Sequence, residues 1–174
     1  MLVFDLESDG LVNDATKIHC LCIHDTTANE TYTFNDQGNK EPIVRGVQLL
    51  EDADCIVGHN IINFDMPLLA SFYPWFTRDR DCIDTLLLSR LFHPDILKID
   101  QVKKWKHMPL KLYGRHSLES YGYRLGEYKG EFSHNTDWKF WSEEMEAYME
   151  QDVKVTNKLW THFHKKIAQE QVVR

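Results

Sequence analysis

The sequence predicts an α/β fold, a β-sheet of mixed strand direction flanked by helices on both faces. Three observations lead there. Three short strand-like segments open the chain in hairpin-like succession, helical and strand-like segments then alternate, and the chain from Ser142 onward carries an apolar stripe at helical spacing. A length of 174 residues with 43% hydrophobic and 12% aromatic side chains is enough for one buried core, so a single domain over residues 1–174 is expected.

Leu2–Leu6 forms the first strand, and Ile18–His24 alternates in the same way after a polar turn at Asn13–Lys17; Thr31–Phe34 is the third. The stretch Asp36–Lys40, with Gly38, reads as a turn. Pro42 then starts a helix in which Ile43, Val47 and Leu50 share one face. Cys55–Val57 is a fourth strand, and Asn60–Phe72 reads as a helix through Asp65, Leu68, Leu69 and Phe72. Cys82–Ile83 is a fifth strand running into a helix at Asp84–Phe92, which Pro94 ends. Pro94–Tyr113 shows little periodicity and reads as a long connection of the functional kind. In the last helix Val153, Thr156, Leu159, Trp160, Phe163 and Ile167 form the apolar stripe, which packing explains.

Composition narrows the function. No apolar run approaches the roughly 20 residues of a membrane span, and the N-terminus lacks the basic-then-apolar order of a signal peptide, so no membrane and a cytoplasmic location are expected. Cys20, Cys22, Cys55 and Cys82 lie in apolar stretches, and Cys20 and Cys22 are too close for a zinc pair, which leaves reduced core thiols. A formal net charge of −7 argues against binding nucleic acid through bulk positive potential. It leaves room for a nuclease, because carboxylates gathered around cations reverse the local field once those cations are bound.

Three clusters can carry chemistry. Asp5 and Glu7 interrupt an apolar strand at period two and so point to one face, either holding a cation between them or exposed to water at an edge. The run Gly58-His59-Asn60-Ile61-Ile62-Asn63-Phe64-Asp65 leaves a strand and enters a helix; Asn60 and Asp65 either reach a site there or serve as a helix cap and a first-turn acid. Tyr148 and Asp152, four apart, share a helical face just before the apolar stripe, where an unpaired carboxylate would be costly.

Together these clusters resemble, in order and approximate spacing, the three sequence motifs of the DEDD 3′→5′ exonucleases, and Tyr148 points to the DEDDy branch. Beyond them, Cys82-Ile83-Asp84-Thr85-Leu86-Leu87-Leu88-Ser89-Arg90-Leu91 and His116-Ser117-Leu118-Glu119-Ser120-Tyr121-Gly122-Tyr123-Arg124-Leu125-Gly126 look like the proofreading domain of phage family A replicative DNA polymerases. The resemblance implies a ribonuclease H-like fold and two divalent cations, Mg²⁺ or Mn²⁺. Asp5, Glu7 and Asp152 would bind one ion, Asp5 with water-mediated help from Asp65 the second, and Tyr148 would orient the attacking water. By the same analogy Ser8, Leu11, Asn60 and Phe64 meet the terminal nucleotide, Leu11 as an apolar contact, while Asn60 touches substrate or buttresses Asp65. His59 reads as a hydrogen-bonded loop residue.

The implied partners are a single-stranded or frayed DNA 3′ end and a DNA polymerase subunit or domain, in the host cytoplasm if the chain is phage-encoded. An RNA-trimming exonuclease of the same superfamily and a silent scaffold that docks a polymerase are the alternatives. Lys98, Lys103, Lys104, Lys106, Lys111 and Arg115, with Trp105 and Tyr113 interleaved and Asp100 as the single acid, make a basic stretch that either grips a single strand or is a solvated loop. The acidic run Glu143, Glu144, Glu146 and Glu150 reads as a solvated helix face.

Overall fold

A computed structural model describes residues 1–127 and 137–172 of the chain. Strands β1 (Leu2–Ser8), β2 (Ile18–Asp25) and β3 (Glu30–Asn35) form an antiparallel meander. The chain then crosses through α1 (Ile43–Asp52) to β4 (Ile56–Gly58), parallel to β1, and through α2 (Asp65–Phe72) to β5 (Cys82–Asp84), parallel to β4. The sheet order is β3-β2-β1-β4-β5, so the chain changes direction of travel across the sheet at the β1/β4 boundary. In open α/β sheets the crevice at the carboxyl ends of such a pair is where ligands bind.

Period two along the strands separates two cores. Phe4, Leu6, Leu21, Ile23, Phe34 and Ile56 face α1 and α2, packing on Ile43, Val47, Leu50, Met66, Leu68 and Leu69. Val3, Cys20, Cys22 and Val57 face the other way, onto Met145, Met149 and Val153 of α6 (Glu143–Val172). Helices therefore cover both faces, as the sequence predicts. A third cluster joins α3 (Thr85–Phe92), α4 (Ile96–Lys103) and α5 (Leu118–Arg124) to Val155, Leu159 and Phe163 further along α6. All four cysteines are free thiols; burial raises Cys22 to about 12.

Three elements depart from the sequence reading. The second helix begins at Asp65, not Asn60, because Asn60 adopts a left-handed φ of 65° that no helix continues. Asp84 ends β5 and caps α3, accepting from Leu86 N at 2.9 Å, instead of lying inside the helix. The expected long connection Pro94–Tyr113 contains α4 and a 3₁₀ turn at Leu110–Leu112.

What shapes that segment is one buried carboxylate. Asp100 accepts from Trp105 Nε1 (2.8 Å), Gly114 N (2.8 Å), Arg124 Nε (2.9 Å) and Arg124 Nη2 (2.7 Å), and both ends of the Asp100–Arg124 pair are almost wholly buried. Burial alone would raise this carboxyl; the Arg124, Gly114 and Trp105 donors hold it below its ordinary range. A single side chain thus ties together residues far apart in sequence, so no hydrophobic period announces the structure. The quoted stretches around Ser89 and Tyr121 meet beside it: Ser89 Oγ lies 2.6 Å from His116 Nδ1 and 2.5 Å from Tyr121 Oη.

Two expectations follow. Asp100→Ala should lower the unfolding free energy in urea by about 3–5 kcal/mol, because it leaves the Arg124 guanidinium buried without its counter-charge. The second concerns His93, whose imidazole lies against His162 with their Nε2 atoms 3.3 Å apart and is held down to about 4 by burial and by the positive charges of Lys166, His162, Arg124 and His116. The unfolded chain takes up a proton near 6.5 that the folded state refuses, so stability should decline as pH falls from 6.5 toward 4. His93→Gln should flatten that decline in a series of thermal melts.

Candidate active site

Asp5 and Glu7 leave β1 on the same side as Val3, which is the side α6 covers. Asp152 sits one residue before the core residue Val153, and Tyr148 lies one helical turn earlier. Helix α6 begins where Ser142 Oγ accepts from Met145 N at 3.1 Å, and its Met145–Met149–Val153 stripe on the sheet sets the rotation that turns Asp152 toward β1. The result is a cluster in which Asp5, Glu7 and Asp152 each offer a carboxylate oxygen, all within 4.8 Å of one another.

Asp65 arrives from a different element. The loop 59–64 climbs from the end of β4 and delivers Asp65 as the first residue of α2, almost wholly buried. Its Oδ1 is buried without a hydrogen-bond partner. Burial, followed by the neighbouring charge of Asp5, pushes the Asp65 carboxyl well above its ordinary range, while the Asp65 and Leu6 amides oppose the shift. A cation bound there would offset that cost, and hard oxygen donors of this kind suit Mg²⁺ or Mn²⁺. The residues present fit the metal that the sequence reading expects.

The loop is held by groups that the motif does not name. Asp84 accepts from Asn60 N at 2.8 Å and Ile62 N at 3.2 Å as well as from Leu86 N, so one carboxylate fixes both the loop and the next helix. Thr85 Oγ1 donates to the Gly58 carbonyl (3.1 Å) and lies 2.9 Å from His59 Nδ1. Its single proton is thereby used, so His59 Nδ1 must be the donor to Thr85. Gly58 has no room for a side chain: a Cβ there would stand 2.1 Å from Ile61 Cγ2. The only sequence signal for Asp84 is its position just before a helical apolar run, the pattern of a cap.

Asp5, Glu7, Asp65 and Asp152 line a cleft of about 240 Å³ with Tyr148, His59, Asn60, Phe64 and Trp138. A second cavity, of about 330 Å³, adjoins it through the shared Glu7, Phe64 and Trp138 and is lined further by Ser8, Gly10 and Leu11. All nine residues singled out in the sequence thus meet in two adjoining hollows. Their surroundings differ: Leu11 is 69% exposed, while Ser8 is buried with its hydroxyl donating to the Gly10 carbonyl at 2.8 Å. Trp138 has no signal in the sequence. His19 Nε2 donates to its carbonyl at 2.9 Å, and its ring meets that of Tyr148 edge-on at 6.4 Å.

One sequence reading is overturned beside the cleft. Glu143 and Glu144 are exposed, but Glu146 is buried, accepting from Asn35 Nδ2 (2.8 Å) and Trp141 Nε1 (3.2 Å) and paired with Lys40. Glu150 accepts from Thr33 Oγ1 at 2.6 Å. The acidic run is not a uniformly solvated face because Glu146 and Glu150 turn toward the sheet and meet Asn35 and Thr33 of β3.

Asp65→Asn should raise the thermal midpoint in EDTA, since it removes a buried charge beside Asp5 while keeping the side chain's shape. The same substitution should shrink the rise that Mg²⁺ or Mn²⁺ brings to the unsubstituted protein. A lower midpoint in EDTA would show that the Asp65 charge is compensated.

A family model described as RNase H superfamily matches residues 2–164. The DNA-directed DNA polymerase of Enterobacteria phage T3 is 32% identical over 91% of this chain, which spans 26% of that polymerase. Among solved structures, Brucella melitensis NrnC with bound Mg²⁺ superposes with a TM-score of 0.60 at 16% identity, over 98% of this chain and 74% of its own. Escherichia coli exonuclease I in complex with a dT13 oligonucleotide gives 0.58 at 15% identity, over 99% and 42%.

Proposed function

This chain belongs to the RNase H superfamily, and on that premise we propose that it is a metal-dependent 3′→5′ exonuclease of the DEDDy type. It removes nucleoside 5′-monophosphates from a single-stranded or frayed DNA end. The observation that carries the reading is the junction of Asp5, Glu7 and Asp152 within 4.8 Å of one another, with the buried Asp65 and with Tyr148, at the bottom of a cleft. Identity with a phage DNA polymerase over most of the chain supports DNA as substrate and proofreading in phage replication as the setting. A polymerase subunit or domain is then the natural partner. Among the described residues no helix is long and apolar enough to cross a membrane, and the proposed location is the host cytoplasm.

Asp5, Glu7 and Asp152 would hold one divalent cation, and Asp5 with Asp65 the second. Cations bound there supply Lewis-acid stabilisation of the phosphoryl oxygens and lower the pKa of coordinated water. The terminal nucleotide enters the two hollows with its base and sugar against Leu11, Phe64 and Trp138, and Asn60 at the cleft wall helps hold it. Tyr148 orients the attacking water by a hydrogen bond; a phenol near pKa 10 is a poor base at neutral pH, so its part is positional. Water adds to phosphorus, the bond to the 3′ oxygen of the penultimate nucleotide breaks, and that oxygen leaves with a proton.

The test is degradation of 5′-labelled and 3′-labelled oligonucleotides, DNA and RNA, with Mg²⁺, Mn²⁺ or EDTA. Metal-dependent release of mononucleotides from the 3′ end of DNA is expected, abolished in Asp5→Ala/Glu7→Ala. Tyr148→Phe should slow turnover by roughly 10²-fold, the lower end for a group that positions a proton transfer. Faster cleavage of RNA would move the substrate to the RNA-trimming branch, and no cleavage with either metal would leave the silent scaffold.

A further inference from the structure

The basic stretch that the sequence leaves undecided has a defined shape. Lys98, Lys103, Lys104, Lys106, Lys111 and Arg115 all have exposed side chains; the lysines lie on α4, the turn after it and the 3₁₀ turn, Arg115 follows that turn, and Lys98 is paired with Asp95 at 3.4 Å. The one acid among them, Asp100, is wholly buried, and its charge is matched internally by Arg124. It therefore contributes nothing to the outer surface. By accepting from both Trp105 and Gly114, Asp100 folds the stretch back on itself and draws the segments around residues 105 and 114 to one buried carboxylate. In a chain of net charge −7 this concentration of cations runs against the composition.

Backbone geometry shows where the segment turns. Lys104 ends α4 in the left-handed region at φ 47°, and His107 follows at φ 61°. A helix usually ends in this conformation with glycine, which adopts it without the steric cost that other residues bear. Gly114, in the same segment, shows that glycine occurs where φ is positive. Lys104 and His107 bear that cost at the points where the chain turns after α4, and a glycine at position 104 would relieve it.

Trp105 is not a free stacking platform: its indole N–H is bound to Asp100, and its ring lines an apolar hollow with Ile96, Ile99 and Tyr121. The surface is thus electrostatic, suited to phosphates and indifferent to bases. Its place relative to the cleft is set by α6. Ile96 and Tyr121 pack on Val155, Leu159 and Phe163, which at 1.5 Å per residue lie about 5–17 Å along the helix from Asp152.

Resting on the exonuclease reading, we propose that the cations of residues 98–115 bind the phosphodiester backbone of the single strand behind the terminal nucleotide. They guide it along α6 toward the carboxylates. The device answers a problem of the chain's own making: an acidic protein with an acidic cleft needs a local positive track to approach a polyanion.

The experiment compares wild type with Lys104→Gly and with Lys103→Gln/Lys104→Gly/Lys106→Gln. It measures binding of a dinucleotide and of an oligothymidylate of about 16 nucleotides by anisotropy in EDTA over a range of salt, alongside thermal melts. Lys104→Gly should not lower the melting midpoint, because glycine fits φ 47°, so lost binding cannot be assigned to unfolding. For the long oligonucleotide the triple variant should lose at least about tenfold in affinity at low salt, and its log–log salt slope should become shallower by about 2, at roughly 0.7 per lost phosphate contact. Dinucleotide binding should not change. Equal loss for both ligands would place the charges at the cleft and overturn the proposal, as would unchanged affinity and slope for the long one. If wild type cleaves oligonucleotides and the variants bind normally, the track falls while the exonuclease stands. If nothing is cleaved but the triple variant still loses long-ligand affinity selectively, the track stands and the exonuclease reading falls.

Discussion

The crowding of negative charge on one side of β1 is the constraint around which the rest of this protein is arranged. Period two makes Asp5 and Glu7 neighbours on a face that must also pack, and α6 brings Asp152 against them because Met149 and Val153 bury on the same side. Carboxylates this close repel each other, and burial of Asp65 beside Asp5 adds to the cost. A fold selected for stability alone would relieve the strain with one amide. On the proposed function cations restore the balance, and the stability lost without them is the counterpart of the chemistry gained with them.

Carboxylates elsewhere in the chain show how differently the same group behaves when it is given donors. Asp84 accepts three backbone amides and Asp100 accepts four N–H groups, and both act as structural fasteners. Glu146, close to the cleft, is satisfied by Asn35, Trp141 and Lys40; burial opposes its charge, yet these partners hold its carboxyl below the ordinary range. The contrast with Asp65, whose Oδ1 has no partner, separates the acids bonded into the scaffold from this one beside the cleft more sharply than their positions in the sequence do.

Legibility in the sequence followed the range of the interactions. The five strands, α1, α3 and the long C-terminal helix rest on local periodicity, and the sequence reading finds them with boundaries shifted by a residue or two. Asp5, Glu7, Asp65, Asp152 and Tyr148, which meet in the cleft, were singled out through spacing and through resemblance to a family. What escaped was whatever depends on a partner distant in sequence. The folded segment 94–113 hangs on Asp100 meeting Gly114 and Arg124, and the late start of α2 hangs on Asp84 accepting from Asn60 and Ile62. Glu146 reads as a surface acid because its partner Asn35 lies on a strand more than a hundred residues earlier. Trp138 is the sharpest case: it lines the cleft, and its carbonyl is held by His19, more than a hundred residues earlier.

The hidden fasteners and the visible site are connected. Asp84 positions the loop that delivers Asp65, so a residue outside the family motifs determines where a motif acid stands. Asp100 does the corresponding work on the other flank, where its charge is matched internally by Arg124 and does not offset the exposed lysines around it. In each case a buried acid supplied with N–H donors frees other charges to act outward, negative in the cleft and positive along α4. The net charge of −7 averages over these two fields and describes neither. On the proposed function, in which the protein approaches a polyanion and holds cations against it, the separation of the two fields along α6 carries the information that the total conceals.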